Sequence, residues 1–234
     1  MGNATQHRRR VGLIKFFKNE DFLDQFLSGC FYCNTPEYYR LSNSPGVSDK
    51  NESALYTYRQ SRGDSGIKLS INDLVTDEVL SLTIHPSGFG DAYLHCWTLF
   101  EIPKTESDLN LLKNDLKRMR SEFGEHYAFL PLNNLSELFG RINKRNDKKV
   151  WCQEVTYSAS PNRWSSVCKS KDFAYQREFR FGIEGCNTHS LEPLILQCPN
   201  GFKDLVHKNP HIELGDQMSG VKWLEIHPMV PFHV

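Results

Sequence analysis

The run AYLHCWTLFEI, Ala92 to Ile102, most constrains the fold: it is apolar on both faces of an extended chain and stops at Pro103. Such a strand lies in the middle of a sheet with both faces covered, so the chain must supply a layer for each side. Other strand-like runs are VGLIKFF (Val11–Phe17), CFYC (Cys30–Cys33), VWCQEVTY (Val150–Tyr157), EFRFGI (Glu178–Ile183), PLILQC (Pro193–Cys198) and VKWLEI (Val221–Ile226). In LSLTI, Leu80, Leu82 and Ile84 alternate with Ser81 and Thr83, the pattern of a half-buried antiparallel strand. Helical spacing is clearest at Leu109, Leu112, Leu116, Met119 and Phe123. A short helix capped by Asn19 carries Phe22, Leu23, Phe26 and Leu27 and stops at Gly29, and another carries Leu135, Leu138, Phe139 and Ile142. Strands outnumber helices and often follow one another directly. The expectation is an α+β fold, a mainly antiparallel, split sheet with flanking helices.

At 24% charged and 39% hydrophobic residues the chain has the composition of an ordinary globular protein. A flexible basic N-terminus over 1–10, with His7 to Arg10, is expected to precede a single domain over 11–234. The 28 basic residues balance 28 acidic ones, so nucleic-acid contact would need a local patch. No apolar run is long enough for a helical membrane span and no signal-peptide pattern opens the chain, so a cytoplasmic protein without membrane contact is expected. Seven cysteines, an odd and sparse set, fit reduced thiols.

Phosphate-binding loops, dinucleotide-binding glycine motifs, GxSxG elbows, HExxH and zinc-deaminase signatures are missing from the sequence. The one CxxC, Cys30 to Cys33, has no second pair. Cys186 with His189 and His207 with His211 do not complete a four-ligand zinc set, so no metal is expected. His95 and Cys96 are strand neighbours that point opposite ways, which argues against a thiol activated by a histidine. His95 reads either as a core histidine or as the wall of a cleft shared with Trp97.

The segment KSKDFAYQREFRFGI, Lys169 to Ile183, carries the densest chemistry. If Gln176 to Ile183 is extended, Gln176, Glu178 and Arg180 share one face and Phe179, Phe181 and Ile183 the other. One reading is a solvated face with a Glu–Arg pair. The other is a carboxylate kept ionised by basic neighbours, able to accept a sugar hydroxyl and to stabilise an oxocarbenium-like transition state.

Five pieces in order, LSGCFYCNTPEYYR (Leu27–Arg40), LHCWTLF (Leu94–Phe100), EVTY (Glu154–Tyr157), KSKDFAYQREFRF (Lys169–Phe181) and IELGDQMSG (Ile212–Gly220), resemble a broad group of uncharacterised bacterial proteins. That group has an N-terminal "LxxGxxYxNTPExY" and a C-terminal "FxYQxEFR" motif. It is in turn similar to ADP-ribosyltransferase-like toxins and phage-defence effectors, some of which modify nucleic acid and in which a "Q/E-x-E" motif carries the catalytic glutamate. The resemblance implies an ADP-ribosyltransferase-like fold and NAD as substrate. It implies that Glu178 orients the ribose 2′-hydroxyl and that Gln176 faces the acceptor. On the first strand, where such enzymes place a His or Arg, this sequence offers only Lys15. Tyr32, Asn34, Thr35, Tyr38 and Arg40 fall where a nicotinamide platform would be built, with His95 and Arg180 beside it; ordinary aromatic packing is the alternative.

Lys113, Lys117 and Arg120 on the long helix, and Lys144, Arg145 and Lys148 after the next, read as solvated faces or as phosphate contacts. The expected activity is transfer of ADP-ribose from NAD to a nucleic acid or protein, in a toxin or phage-defence setting with an antitoxin or inhibitor protein as a further partner. The rivals are a nucleic-acid-binding or nuclease-like effector without NAD chemistry, and a degenerate member of the fold that only binds a partner protein.

Overall fold

The computed structural model describes residues 10–228. In chain order the elements are β1 (Arg10–Phe17), α1 (Glu20–Leu27), β2 (Cys30–Cys33), α2 (Pro36–Leu41), β3 (Tyr56–Arg59), β4 (Leu69–Ile71), β5 (Leu74–Thr76), β6 (Ser81–Ile84) and β7 (Asp91–Glu101). They continue as α3 (Glu106–Phe123), β8 (His126–Pro131), α4 (Leu135–Asn143), β9 (Val150–Glu154), β10 (Thr156–Ser158), β11 (Cys168–Ser170) and β12 (Glu178–Cys186). The last are β13 (Leu194–Gln197), β14 (His207–Lys208), β15 (Ile212–Gly215) and β16 (Lys222–Ile226). The fold is mixed α+β and mainly antiparallel. Its main sheet runs β14-β8-β1-β7-β12-β9, with β7 at the centre as its two-sided apolar sequence requires.

One face of this sheet is covered by α1, α4, β2 and β13, where Leu13, Phe31, Trp97, Leu138 and Phe181 form the larger core. The other face is covered by α3, whose Leu112, Leu116 and Met119 meet Ile14 and Phe100. Local chemistry sets the helix ends. Asn19 accepts from the Phe22 amide at 3.0 Å, Thr105 accepts from the Asp108 amide at 3.0 Å, and Gly29 and Gly124 adopt positive φ beyond the last turns.

Two ladders bracket a gap. β1 pairs with β7 only as far as Ile14↔Thr98, although β1 continues to Phe17 on β8. Further along β7, Leu94 exchanges both backbone hydrogen bonds with Asn34 at the end of β2. β7 thus changes partner from β1 to the β2 segment, and a cleft opens where neither pairs with it.

Several expectations change. Gln176 is not extended: it ends a 3₁₀ turn over Lys171–Gln176, and the strand begins only at Glu178. Leu80 and Ile84 stay exposed because β6 pairs only with β3 in a two-stranded ribbon outside the main sheet. Val150–Tyr157 splits into two strands at the buried Val155, and Phe22 faces solvent. The expected basic N-terminus lies outside the described residues except for Arg10. That residue is already in β1 and pairs with Glu101 and Glu154.

Candidate functional site

The turn before β12 brings its chemistry together. Arg177 takes a left-handed conformation (φ 45°), which reverses the chain between Gln176 and Glu178 so that both side chains reach one ammonium. Lys169 Nζ, from β11, lies 3.0 Å from Gln176 Oε1 and 3.2 Å from Glu178 Oε2. Arg180, two residues along β12 on the same face, donates from Nε to Glu178 Oε1 at 2.6 Å. Gln176, Lys169, Glu178 and Arg180 are 6, 6, 4 and 1% exposed, which removes the solvated-face reading.

The polar stretch between α2 and β3 closes this cluster from above. Glu52 grips Arg180 with both carboxylate oxygens at 2.7 Å, and Asp49 Oδ2 lies 3.8 Å from Lys169. Gln176 donates its amide to the Gly46 carbonyl at 2.8 Å. Asp49, Glu52 and Glu178 therefore face Lys169 and Arg180, three carboxylates against two cations in a buried site.

Above Glu178 the gap between β1 and β7 forms a cleft of about 210 Å³, lined among others by Lys15, Asn34, Tyr38, Tyr39 and Cys96. Lys15 reaches across and donates to the Cys96 carbonyl at 2.8 Å. A larger groove of about 600 Å³ lies on the far side of the Tyr175–Arg177 turn. Arg177 and Asp115 pair in it at 2.8 Å, and side chains of both signs, among them Glu101, Lys104, Glu154 and Lys171, complete its lining.

Burial alone would push the Glu178 carboxyl up; the Arg180 guanidinium and the Lys169 ammonium outweigh it and hold the group well below the usual carboxylate range. Burial, with Glu52 adding to it, raises Asp49 to about 6. Burial lowers Lys15 and, with Glu178, pushes the Cys96 thiol up to about 12. Tyr157, whose hydroxyl accepts from the Glu178 amide at 2.7 Å, is also raised by burial. The floor of the cleft is a carboxylate fixed between the Lys169 and Arg180 cations, with the protonated Cys96 thiol beside it.

Of the residues singled out in the sequence, Lys15, Asn34, Tyr38, Gln176, Glu178 and Arg180 meet in this cleft. Tyr32 is exposed at its edge, with its hydroxyl 3.3 Å from Asn34 Oδ1. Three others are placed elsewhere. Thr35 is fully buried and its hydroxyl caps α2 by accepting from the Tyr38 amide. Arg40 is spent on Glu37 and on the carbonyls of Glu52 and Thr188, anchoring the loop rather than facing the cleft. His95 points into the opposite core, stacked 4.0 Å from Phe31, with Nδ1 2.7 Å from the Tyr32 carbonyl; burial keeps its pKa well below the ordinary value.

The basic clusters do not form one surface. Lys113 and Lys117 ride on α3, while Lys144, Arg145 and Lys148 follow α4 on the other side of the sheet. Arg120 is buried and paired with Glu125, so it is not part of a solvated basic face. Lys148 lies over the Tyr93 ring at 5.0 Å.

Sequence reasoning missed Asp49, Glu52 and Lys169. Lys169 opens the quoted KSKDFAYQREFRF piece, so its place in that motif was a signal; Glu52 sits in a polar stretch with no periodicity to mark it. Protein-family models, curated proteins and solved structures were each compared with the chain, and none matches it.

Proposed function

We propose that this chain transfers ADP-ribose from NAD to a macromolecular acceptor, with Glu178 as the catalytic carboxylate. The observation that carries the reading is a buried carboxylate, held ionised, on the floor of a cleft where two sheet strands part.

The cleft is smaller than the roughly 300–1,000 Å³ that encloses a whole drug-sized ligand, so it suits one end of a dinucleotide rather than all of it. Nicotinamide and its ribose fit that description. Tyr38 offers an exposed ring for stacking, and Asn34 an amide for the carboxamide group. Glu178 accepts a ribose hydroxyl and faces the anomeric carbon. As the C1′–N bond breaks, its electron pair leaves with nicotinamide and positive charge builds on the ribose. The Glu178 carboxylate, on the floor of the cleft, stabilises that charge in a site of low dielectric. The acceptor's lone pair forms the new bond to C1′, and the acceptor proton is released. Gln176, buried in the turn beside Glu178, meets the acceptor only after its amide leaves the Gly46 carbonyl. The NAD-linked fold resemblance, with its toxin and phage-defence setting, supports this reading from the motifs; the split between β1 and β7 supports it from the geometry.

The test is nicotinamide release from labelled NAD by wild type and Glu178→Gln, with cell extract as acceptor source and separate protease, RNase and DNase treatment. Release by wild type that falls at least a hundredfold in Glu178→Gln, with label in one fraction, supports the transferase and identifies its acceptor class. A folded wild type that leaves NAD intact with every fraction overturns it.

A further inference from the structure

We propose that the C-terminal ribbon, β15 with β16, carries a binding site for a divalent transition-metal ion built from His211, Glu225 and His227. None of the three lines the cleft, and the site is independent of the activity proposed above.

The site follows from the register. Ile212 pairs with Ile226, Glu213 with Glu225 and Leu214 with Leu224. Leu224 and Ile226 are buried against the α3-side core, with Ile212 and Leu214 packed on it. Side chains alternate along a strand, so the opposite face collects Glu213 and Glu225 and, one step beyond the ladder, His211 and His227. The two imidazoles stack with centroids 4.2 Å apart and planes within 12°. The Glu225 carboxylate spans them, Oε1 3.9 Å from His211 Nε2 and Oε2 3.5 Å from His227 Nε2. All three ligand atoms lie within 4.8 Å of one another.

Two imidazole nitrogens and one carboxylate oxygen make a donor set suited to zinc, cobalt or nickel, with bonds of about 2.0–2.2 Å. His211 is exposed and Glu225 and His227 are partly exposed, so small rotations of side chains can close the set around an ion and leave the remaining coordination positions to water. The cross-strand placement matters, because a folded ribbon already holds both rings on one face and an unfolded one does not. Lys222 places its ammonium 2.5 Å from Glu225 Oε1 and 2.8 Å from Glu213 Oε2. It keeps the carboxylate under the rings, and Glu213 retains it when an ion takes Glu225.

The experiment is titration of the EDTA-treated, reduced full chain with cobalt(II), followed by visible absorption and calorimetry, then repeated with zinc(II). One ion per chain is expected, with ligand-field bands of a nitrogen/oxygen site and without the thiolate charge-transfer absorption that the free cysteines would give. His211→Ala and His227→Ala should each weaken binding at least tenfold, while Lys222→Ala, which removes a neighbouring cation, should bind at least as tightly as wild type. All three side chains are at least partly exposed, and unchanged circular dichroism establishes that the variants are folded. No saturable binding by wild type, or binding that survives the double variant His211→Ala/His227→Ala, overturns the site.

Discussion

Arg180 and Glu52 form a two-pronged ion pair, both contacts 2.7 Å and both side chains 1% exposed, between residues 128 positions apart in the chain. The pair fastens the polar loop before β3 to the strand that carries Glu178. Truncating Glu52 removes both of those contacts and leaves the buried guanidinium to Glu178 and the Ser166 carbonyl alone, and breaking a buried pair in this way costs far more than the pair itself contributes. Glu52→Ala should therefore destabilise by about 3–5 kcal/mol in urea unfolding. A cost under about 1 kcal/mol, the level of a surface pair, would refute the buried geometry.

Glu178→Gln removes one of three carboxylates facing two cations and leaves Asp49 and Glu52 to balance Lys169 and Arg180. Its loss of stability should be smaller than that of Glu52→Ala, measured in the same urea series, even though its loss of nicotinamide release is the larger. The opposite ranking would mean that Glu178 is mainly a structural carboxylate.

Asp49 provides a pH signature of opposite sign to an ordinary ion-paired acid. Its carboxyl is raised to about 6 in the folded chain, chiefly by burial, so folding takes up a proton. That contribution is fully present below its unfolded value of about 3.9 and is lost as pH rises through about 6. Relative to Asp49→Asn, the wild type should lose up to about 1.4 kcal/mol per pH unit across that window. Urea midpoints of both proteins at pH 4.5 and 7 check this; a constant difference would show that Asp49 is not held in this environment.

Cys96 lies in the cleft but, with burial pushing its thiol up to about 12, is protonated at neutral pH. Its thiolate fraction at pH 7.5 is on the order of one in thirty thousand. Native alkylation should spare it, and Cys96→Ala should keep nicotinamide release within a few-fold of wild type. Loss of release on alkylation of Cys96 alone would assign the chemistry to the thiol.

Gly182, in β12 on the same face as Glu178 and Arg180, has no room for a side chain: a Cβ there would sit 2.1 Å from the Trp151 ring. Gly182→Ala should cost about 1–3 kcal/mol, and pairing it with Trp151→Leu should recover part of that loss in a thermal unfolding cycle. No recovery would mean that the strain lies in the backbone and not at the ring.

The central strand, the helix face of α3 and the Asn19 cap are legible in the sequence because each is a local pattern: a two-sided apolar run, a 3.6-residue period and a capping residue. The Leu80–Ile84 alternation is equally clear and still misleads, since a period of two says which residues share a face but not whether anything covers it. At the site, Glu178 and Arg180 are legible as strand neighbours. Gln176 joins them by a left-handed turn at Arg177, where no glycine marks the bend. Glu52 joins them from across the fold, and nothing local records a contact made over 128 residues. Thr35, Arg40 and His95 are polar residues close in sequence to the cleft, yet helix capping, loop anchoring and strand alternation turn them away from it.

The change of partner along β7 has a kinetic meaning. Beyond Ile14↔Thr98 the β1–β7 ladder has no further rungs, and Lys15–Phe17 stay fastened to β8 on their other edge. The Lys15 side chain, bonded to the Cys96 carbonyl, bridges that part of the gap. Opening by side-chain rotation, a picosecond-to-nanosecond event at exposed residues, would spare the sheet the microseconds or longer of a collective rearrangement.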